Sequence, residues 1–380
     1  MSEGFDLAIA GGGLAGLSLA ILMRQAGFSV CLLEQKRYPF HRVCGEYIAM
    51  ESWPFLQRLG IDLEPLKLPR ITRLLVSDPR GRNLERPLQP GGFGISRYTL
   101  DQLLARQAQE LGVVLREQTP VRAIVPTADG MQLSVGVGSH AEEISARVAC
   151  GAFGKLASLD RQLRPAALPA RSGVPTFVGF KYHLRTRFAS DLIALHNFAG
   201  GYCGLSRVED DVVCCCYLVS QQAFERVGGQ RERLEAEVLA QNPYLKSIWQ
   251  HAEFVFDKPQ AIAQVHFAPR SQVQQGVILL GDAAGLIPPL CGNGMSMAFY
   301  SAKLLAPLLQ ARLQGQLSHA ELTARYTRQW QRAFSTRLRA GRLLQHCFGQ
   351  PLLIQGLLSG LRPLPALADR LIGLTHGEAF

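Results

Sequence analysis

The sequence lacks several features that define a protein class at once. Its nine cysteines form no C-x-x-C pair and no zinc-binding spacing, and three of them stand together as Cys214, Cys215 and Cys216 in an apolar segment. No apolar run is long enough to span a bilayer, and the N-terminus has no basic start followed by an apolar run and a small-residue cleavage site. Free cysteines in apolar surroundings are typical of a reducing compartment, so we expect a cytoplasmic protein.

Charged residues are also scarce, at 18% of the chain, but they are unbalanced. The formal net charge is +10 and comes far more from Arg than from Lys. Such an excess favours anionic partners, among them phosphorylated or carboxylated ligands and membrane surfaces. Because no dense basic run occurs, we do not expect a nucleic-acid partner. The nine histidines are scattered and form no metal-ligand pattern or Ser-His-Asp arrangement, so we expect no metal.

The N-terminal segment has the pattern of a β-α-β unit. An apolar strand, a glycine-rich turn, a helix rich in Leu and Ala and a second strand follow one another and end at Glu34. Gly11, Gly13 and Gly16 fit the pattern G-x-G-x-x-G. The first glycine permits the tight turn, the second lets a pyrophosphate approach the backbone, and the third lets helix and strand pack closely. Glu34 then stands where an acid would bind the hydroxyl groups of an adenosine ribose.

A second informative segment lies far downstream, at residues 276–298. It reads as a buried strand, the pair Gly281-Asp282, a loop of Pro and Gly, and a helix that begins near Gly294. A strand ending in Gly-Asp places a carboxylate at the edge of the sheet where nucleotides bind. Gly292, Asn293, Gly294 and Met295 would present backbone N–H groups to the negative edge of a reduced flavin. The two segments together predict FAD.

These segments resemble the FAD-binding set of the p-hydroxybenzoate hydroxylase superfamily, which includes class A flavin monooxygenases, flavin-dependent halogenases and geranylgeranyl reductases. The resemblance extends from residue 5 to about residue 310 and includes the loop Arg42-Val-Cys-Gly-Glu46 and the pair Arg97 and Asp101. It implies FAD contacts for Gly11, Gly13, Leu14, Ala15, Gly16, Glu34, Gln35, Arg42, Cys44, Gly45, Arg97, Val121, Gly281, Asp282, Gly292, Asn293, Gly294 and Met295. The candidates for residues near the flavin ring are Cys44, Tyr202 and Pro289.

The implied architecture is α/β, with a glutathione-reductase-like FAD-binding Rossmann domain interleaved with an antiparallel-sheet substrate domain and followed by a helical C-terminus. Residues 175–219 alternate in the manner of antiparallel strands. The C-terminal helices are expected to break at Pro307, Pro351, Pro363 and Pro365. We expect the FAD-binding domain at 1–75, 95–165 and 270–315, the substrate-binding sheet domain at 76–94 and 166–269, and the C-terminal helical region at 316–380.

Three departures from the superfamily pattern bear on function. Phe153-Gly154 stands where many hydroxylases carry an Asp-Gly pair linked to FAD and NAD(P)H, which puts that nicotinamide contact in doubt. The Trp-x-Trp-x-Ile-Pro motif of halogenases is absent, which argues against chlorination. The aromatic lipid-pocket motif of the archaeal reductases is not clear, although Cys44-Gly45-Glu46 and the Leu- and Pro-rich tail are most similar to the branch around the geranylgeranyl reductases and bacterial secondary-metabolite oxidoreductases.

The leading hypothesis is an FAD-dependent monooxygenase that uses NADPH or NADH as a transient reductant together with O₂. Its substrate would be a small organic, secondary-metabolite-like molecule, free or bound to a carrier protein or coenzyme A. Hydroxylation and Baeyer–Villiger insertion stay open. Two alternatives are a flavin-dependent reductase of C=C bonds and a non-catalytic flavin-binding partner of a biosynthetic complex. For the amphipathic tail at 343–374, packing on the catalytic domain is favoured over contact with a membrane surface.

Overall fold

Two β-sheets and a helical C-terminal region form the computed structural model, which describes residues 4–136, 141–155, 158–164, 174–373, 377 and 380. The strands are β1 (Gly4–Ala10), β2 (Val30–Leu33), β3 (Tyr47–Ala49), β4 (Arg70–Ser77), β5 (Asn83–Gly94), β6 (Val114–Arg116), β7 (Val121–Pro126), β8 (Met131–Val135), β9 (Glu142–Gly151), β10 (Phe177–Arg185), β11 (Leu192–Phe198), β12 (Gly201–Arg207), β13 (Val213–Ser220), β14 (Glu253–Phe254), β15 (Gln260–Val265), β16 (Val273–Gln274) and β17 (Val277–Leu279). The α-helices are α1 (Leu14–Gln25), α2 (Trp53–Arg58), α3 (Arg97–Glu110), α4 (Ser158–Leu163), α5 (Gln221–Arg226), α6 (Arg231–Arg233), α7 (Pro243–His251), α8 (Gly294–Leu313), α9 (His319–Cys347), α10 (Pro351–Leu361) and α11 (Pro365–Gly373).

The first sheet is built around parallel strands in the order β17-β9-β1-β2-β6, with β16 antiparallel at one edge and β7-β8 attached through β9. Strands β1 and β2 are almost fully apolar and buried, as expected for parallel strands covered on both faces. Ala10 pairs with Leu33 on one side and with Gly151 on the other. The carboxyl ends of three strands therefore meet at one edge, directly before Gly11, Glu34 and Ala152.

The second sheet is largely antiparallel, in the order β14-β10-β13-β12-β11-β4-β5-β3, with β15 paired to β10; β11 and β4 run parallel. One face packs Phe180, Tyr182 and Tyr217 into a core beneath the segment of α5 to α7. The other face carries Lys181, Cys216 and neighbouring residues toward the first sheet and the tail, because side chains alternate along a strand.

Most predicted elements are present, but one predicted helix break is wrong. Pro307 lies inside α8, which continues to Leu313. Proline removes one N–H bond, but α8 packs along α1 and α9, and this tertiary packing compensates for the loss. Pro351 and Pro365 begin α10 and α11, at positions where the missing N–H has no intrahelical partner.

The observed architecture confirms the predicted α/β class with a second antiparallel sheet and C-terminal helices. The division into domains stays a proposal; β3 and β4, which precede residue 78, pair within the second sheet. None of the nine cysteines is in a disulfide, and the Sγ atoms of Cys203 and Cys215 are 3.5 Å apart. Across the described ranges, no helix is both long and apolar enough to cross a membrane.

Candidate functional site

The glycine turn after β1 has the geometry that its sequence pattern predicts. Gly11 has a φ of 110°, and a Cβ there would lie 2.5 Å from the carbonyl oxygen of Ala152. A Cβ on Gly16 would lie 2.0 Å from the carbonyl oxygen of Gly11, so only glycine permits this approach of helix to strand. At Gly13 the space is open, and the nearest atom to such a Cβ is Nη2 of Arg97, at 4.0 Å. Open space at the second glycine is what a pyrophosphate would require.

The start of α1 is also chemically suited to an anion. Gly13 is its N-cap and provides no capping side chain, and the first turn, which includes Leu14 and Ala15, contains no acidic residue. The first backbone N–H groups of a helix have no intrahelical acceptor and carry partial positive charge. A phosphate group would be stabilised there.

A chain of four charged side chains borders this turn. Glu34, buried at the end of β2, accepts hydrogen bonds from the backbone N–H of Gly12 at 3.0 Å and from Nη2 of Arg42 at 3.1 Å. Arg42 also donates to Asp101 at 3.0 Å, and Arg97 donates two bonds to the same carboxylate at 2.7 and 2.8 Å. These hydrogen bonds fix the two arginines at the turn. They also bring together residues from distant segments that the sequence predicted to belong to one FAD-binding set.

The two remaining predictions at this edge of the sheet are Gln35 and Val121. Gln35 is exposed immediately after Glu34, and Val121 begins β7. The segment before Val121 lies against the end of β2, because the N–H of Thr119 donates a hydrogen bond to the carbonyl oxygen of Glu34 at 2.8 Å. Both residues therefore lie beside the place predicted for the adenosine end of the cofactor.

The Gly281-Asp282 pair lies against the N-terminal turn. Gly281 has a φ of 60°, and a Cβ there would lie 3.0 Å from Cβ of Ala15. Its N–H donates to Oγ of Ser301 at 3.1 Å, which fixes the turn on α8. Among the residues described, the carboxylate of Asp282 has no hydrogen bond or ion pair. Asp282 is therefore available to a ligand that spans from α1 to the start of α8.

The predicted ring-binding segments also meet. Sγ of Cys44 lies 3.7 Å from Sδ of Met295, although 251 residues separate them. Gly292 has a φ of 63° and precedes Asn293, the N-cap of α8. Gly45 and Gly294 flank this contact; Gly45 is exposed, and Gly294 is the first residue of α8. The Cys44–Met295 contact therefore places the Arg42–Glu46 loop against the start of α8.

Tyr202 and Pro289 meet at the same loop, but by a contact that the sequence did not indicate. The buried hydroxyl of Tyr202 accepts the N–H of Leu290, the residue after Pro289, at 2.9 Å. The Tyr202 ring packs edge-on against Phe348 at 5.4 Å. Tyr202 therefore holds the loop before α8 in place on the second sheet.

A buried ionic cluster was missed by the sequence reasoning. Glu46 is fully buried with a φ of 55°, and its carboxylate contacts the ammonium group of Lys181, Nε2 of His183 at 2.6 Å and the N–H of Arg97 at 2.7 Å. Burial alone would raise the pKa of Glu46, but Lys181 and His183 outweigh it and hold the pKa at about 2. The cluster ties the Arg42–Glu46 loop to β10. Its one sequence signal is Lys181 and His183 at alternate positions of an otherwise apolar strand.

The same cluster has three groups that metals use as ligands. Potential ligand atoms of Glu46, His183 and Cys214 lie within 4.8 Å of one another. The ammonium group of Lys181 already contacts the Glu46 carboxylate, and burial raises the pKa of Cys214 well above its usual range, so the thiol stays protonated. A cation would meet a fixed positive charge and a neutral thiol.

An apolar cavity lies between the second sheet, the loop before α8 and the tail. Its walls are aliphatic side chains of β4, β5, β11, α10 and α11, and it reaches Cys291 and Gly292 at the loop. Arg86 is the charged residue of the lining, and it is paired with Asp369 at 2.7 and 2.9 Å. Tyr47 also lies in the wall, and its buried hydroxyl has no hydrogen-bond partner among the described residues. A largely apolar ligand fits these walls.

Phe153 is half-buried and packs against the core of the first sheet. Its ring atom Cε1 lies 2.6 Å from the place of a Cβ on Gly151, and its Cα lies 2.7 Å from the place of a Cβ on Gly11. The side chain that replaces the Asp of related hydroxylases therefore fills space beside the glycine turn.

The Rossmann turn, the acid at the end of β2, the second Gly-Asp segment and the interleaved antiparallel sheet define an FAD-dependent oxidoreductase of the p-hydroxybenzoate hydroxylase and geranylgeranyl reductase superfamily. A sequence model of the family described as FAD binding domain matches residues 5–338, and the chain belongs to that family.

The similar proteins differ in their reactions. Conditioned medium factor receptor 1 of Dictyostelium discoideum is 23% identical over 87% of this chain and 68% of its own length. Digeranylgeranylglycerophospholipid reductase of Methanoculleus marisnigri is 24% identical over 87% of this chain and 82% of its own. The structure of a flavin-dependent brominase superposes with a TM-score of 0.78 at 18% identity, covering 98% of this chain and 93% of that one. The relatives thus span halogenases, monooxygenases and reductases, and at these identities they show the fold and not the reaction.

Proposed function

We propose that the protein is a monooxygenase that transfers one oxygen atom of O₂ to an apolar small organic substrate, by hydroxylation or Baeyer–Villiger-type insertion. NADPH or NADH would serve as the transient reductant. The observation that supports this proposal is the apolar cavity that ends at Cys291 and Gly292, next to the loop predicted to hold the flavin ring. Oxygen transfer requires that water be excluded from the reacting centre, and aliphatic walls exclude it.

The residues present fit FAD. Gly13 offers open space at a helix N-terminus, Asp282 offers an unpaired carboxylate, and Glu34 offers a buried carboxylate at the adenosine end. When bound, FAD would supply the electron transfer and oxygen activation, which no side chain can perform. The protein would bind the pyrophosphate at the start of α1, bind the ribityl chain at Asp282, and exclude water from the substrate.

The loop before α8 would place the substrate against the reacting centre. Tyr202 fixes the N–H of Leu290, and Arg337 of α9 donates to Glu51 at 3.2 Å and to Asn293 at 3.4 Å. These contacts hold Gly292 and the start of α8 from two sides. The N–H groups of Gly294 and Met295 belong to the first turn of α8, where they have no intrahelical acceptor and would stabilise negative charge.

The test is the mass of the product. The purified protein, with FAD and NADPH, would be supplied with ¹⁸O₂ and with an alkylphenol or a methyl ketone of the same chain length as probes. A product that gains one ¹⁸O atom supports the proposal, and the probe that reacts distinguishes hydroxylation from insertion beside a carbonyl. A product that gains two hydrogens and no oxygen contradicts it.

A second candidate is a flavin-dependent reductase of C=C bonds, and a specific observation favours it. The cavity wall formed by the tail consists of Leu, Ile, Phe and Ala side chains, which suit an unsaturated alkyl or isoprenoid chain as well as a ring. A probe with an isolated double bond, incubated with NADPH without O₂, distinguishes the two reactions. The third reading, a flavin-binding partner without turnover, requires that NADPH leave the flavin spectrum unchanged with every probe.

A further inference from the structure

Helix α10 is apolar on both of its sides. Its eleven residues include no charged side chain. Ile354, Leu357, Leu358 and Leu361 line the cavity, whereas Leu352 and Leu353 are 81% and 54% exposed. At 100° per residue Leu352 falls on the face opposite the lining residues, and Leu353 falls on the flank between the two faces. The helix also carries Gln355 and Ser359, but an amphipathic helix normally buries its leucines, and here Leu352 and Leu353 meet solvent.

The exposed leucines lie on consecutive segments of the tail, where α10 contacts both α9 and α11. Leu343 near the end of α9 is 70% exposed, Leu364 in the connection to α11 is 51% exposed, and Leu367 within α11 is 45% exposed. Together with Leu352 and Leu353 they make up five of the ten large hydrophobic side chains that are exposed in the described part of the chain. We call this group the leucine face. Single exposed apolar side chains are ordinary, but such a concentration marks an interaction surface.

The charge around the leucine face is positive. Residues 328–373 contain seven arginines and one acid, Asp369, and of the arginines Arg337 is paired with the buried Glu51. Asp369 is paired with Arg86, so it does not neutralise the exposed Arg339 or Arg370. Burial, and then the positive charge of Arg339, lower the pKa of Arg342. The partner of this surface must therefore be anionic as well as apolar.

We propose that the leucine face docks on a membrane surface containing anionic lipid, with the leucines among the acyl chains and the arginines at the headgroups. Interfacial helices combine apolar side chains with flanking Arg or Lys in this way. Leu352, which is 81% exposed, is accessible to an acyl layer. The cavity lies on the other side of the same helix, so an apolar substrate would pass from lipid to cavity along α10. The docking does not depend on which reaction the flavin performs.

The experiment is co-sedimentation of the full-length protein with vesicles of phosphatidylcholine alone or mixed with phosphatidylglycerol. Wild type should bind the mixed vesicles. The variant Leu352→Ser/Leu353→Ser/Leu364→Ser/Leu367→Ser should bind them at least about ten-fold less, because it removes most of the inserted apolar area. Its control is Val125→Ser/Val255→Ser, which changes exposed apolar residues elsewhere and should bind like wild type.

Two Arg-to-Glu double variants distinguish the electrostatic contribution to vesicle binding from the contribution of the leucines. Arg339→Glu/Arg370→Glu should weaken binding to the mixed vesicles, and added salt should reduce the difference from wild type. Arg106→Glu/Arg122→Glu makes the same change of net charge at exposed positions of α3 and β7, outside the tail, and should weaken binding much less. The urea midpoint and the flavin absorbance of each variant establish that it is folded.

The proposal is overturned if folded wild-type protein ignores the mixed vesicles, or if the leucine variant binds them as well as its control does. Binding of wild type to an acidic acyl carrier protein but to no vesicle, lost in the leucine variant, would also overturn it. That result would assign the leucine face to a protein partner.

Discussion

Nε2 of His183 lies 2.6 Å from a carboxylate oxygen of Glu46, in the buried cluster that also contains Lys181. This contact joins β10 of the second sheet to the loop that carries Arg42 and Cys44. The Lys181 ammonium and the hydrogen bond with His183 keep the fully buried carboxylate ionised, in a backbone conformation with positive φ that few residues other than glycine adopt. The position of the loop beside the cofactor site therefore depends on this cluster.

Glu46→Gln should destabilise the protein by about 3–5 kcal/mol, because it leaves the Lys181 ammonium buried without its counter-charge. Urea unfolding measures the change. The control Glu237→Gln removes a carboxylate from an exposed ion pair with Arg233 and should leave the midpoint within experimental error. Adding Lys181→Met to Glu46→Gln should recover part of the loss. No recovery would mean that charge burial is not the cause.

Gly13→Ala should reduce FAD affinity without a large change in the stability of the apoprotein. The new methyl group would enter open space 4.0 Å from Arg97, where the pyrophosphate is predicted to pass. Flavin fluorescence measures the affinity, and urea unfolding the stability. Gly356→Ala, in α10 with no atom within 4 Å, is the control and should be neutral or stabilising by up to about 1 kcal/mol. Unchanged FAD affinity in Gly13→Ala would move the pyrophosphate away from this turn.

Asp282→Asn should weaken FAD binding by about ten-fold, because a charge-assisted hydrogen bond contributes about 1.5–3 kcal/mol and the amide retains part of it. The carboxylate has no protein partner in the described structure, so the apoprotein should keep its unfolding midpoint. Asp257→Asn, an exposed aspartate, is the matched control. A loss of stability with unchanged FAD affinity would give Asp282 a role in folding instead.

Tyr47→Phe should leave the ligand-free protein as stable as wild type or slightly more stable, since the hydroxyl it removes is buried without a partner. Burial and then Glu51 raise the pKa of Tyr47 above its usual range, so the phenol remains a donor. If the substrate offers an acceptor to that donor, KM should rise in the variant while the flavin spectrum stays unchanged. Thermal unfolding and steady-state kinetics measure the two effects. Clear destabilisation would show that the hydroxyl has a structural partner.

Stability should fall as the pH is lowered from about 6.5 toward 3, in part because of His196. Burial lowers the pKa of this histidine to about 3, so it stays neutral in the native state while the unfolded chain takes up a proton. The contribution is complete above the unfolded pKa and is lost as the pH falls toward the native one. His196→Gln should therefore reduce the slope of unfolding free energy against pH by up to about one proton. His251→Gln, at an exposed histidine, should leave the slope unchanged.

Local sterics explain which parts of the site were predictable. The roles of Gly11, Gly13 and Gly16 depend on contacts within one β-α-β unit, and the structure places them as the pattern requires. The place of the Gly281-Asp282 pair was equally predictable, because an apolar strand followed by Gly-Asp is a pattern within one short segment. The functional assignments of these residues stay predictions that the variants above would test.

Contacts between segments that are far apart in the chain could not be predicted from the sequence. Pro307 was predicted to end a helix, but α8 continues through it because α1 and α9 pack along α8. The sequence of α8 alone does not show that packing. Lys181 and His183 gave a weak signal by alternating in an apolar strand. Their partner Glu46 lies 135 and 137 residues earlier, so nothing local identified the cluster.

The sequence by itself determined the cofactor class and the place of the phosphate turn. The turn requires glycine where a Cβ would clash, and the strand after it ends in an acid, so both signals lie within one short segment. The sequence also determined that the tail is apolar and basic. Tertiary structure alone decided that Cys44 meets Met295, that Gly281 packs on Ala15, and that the tail closes a cavity with one face and exposes leucines with the other. These depend on how the two sheets pack together, which joins residues that local sterics leave independent.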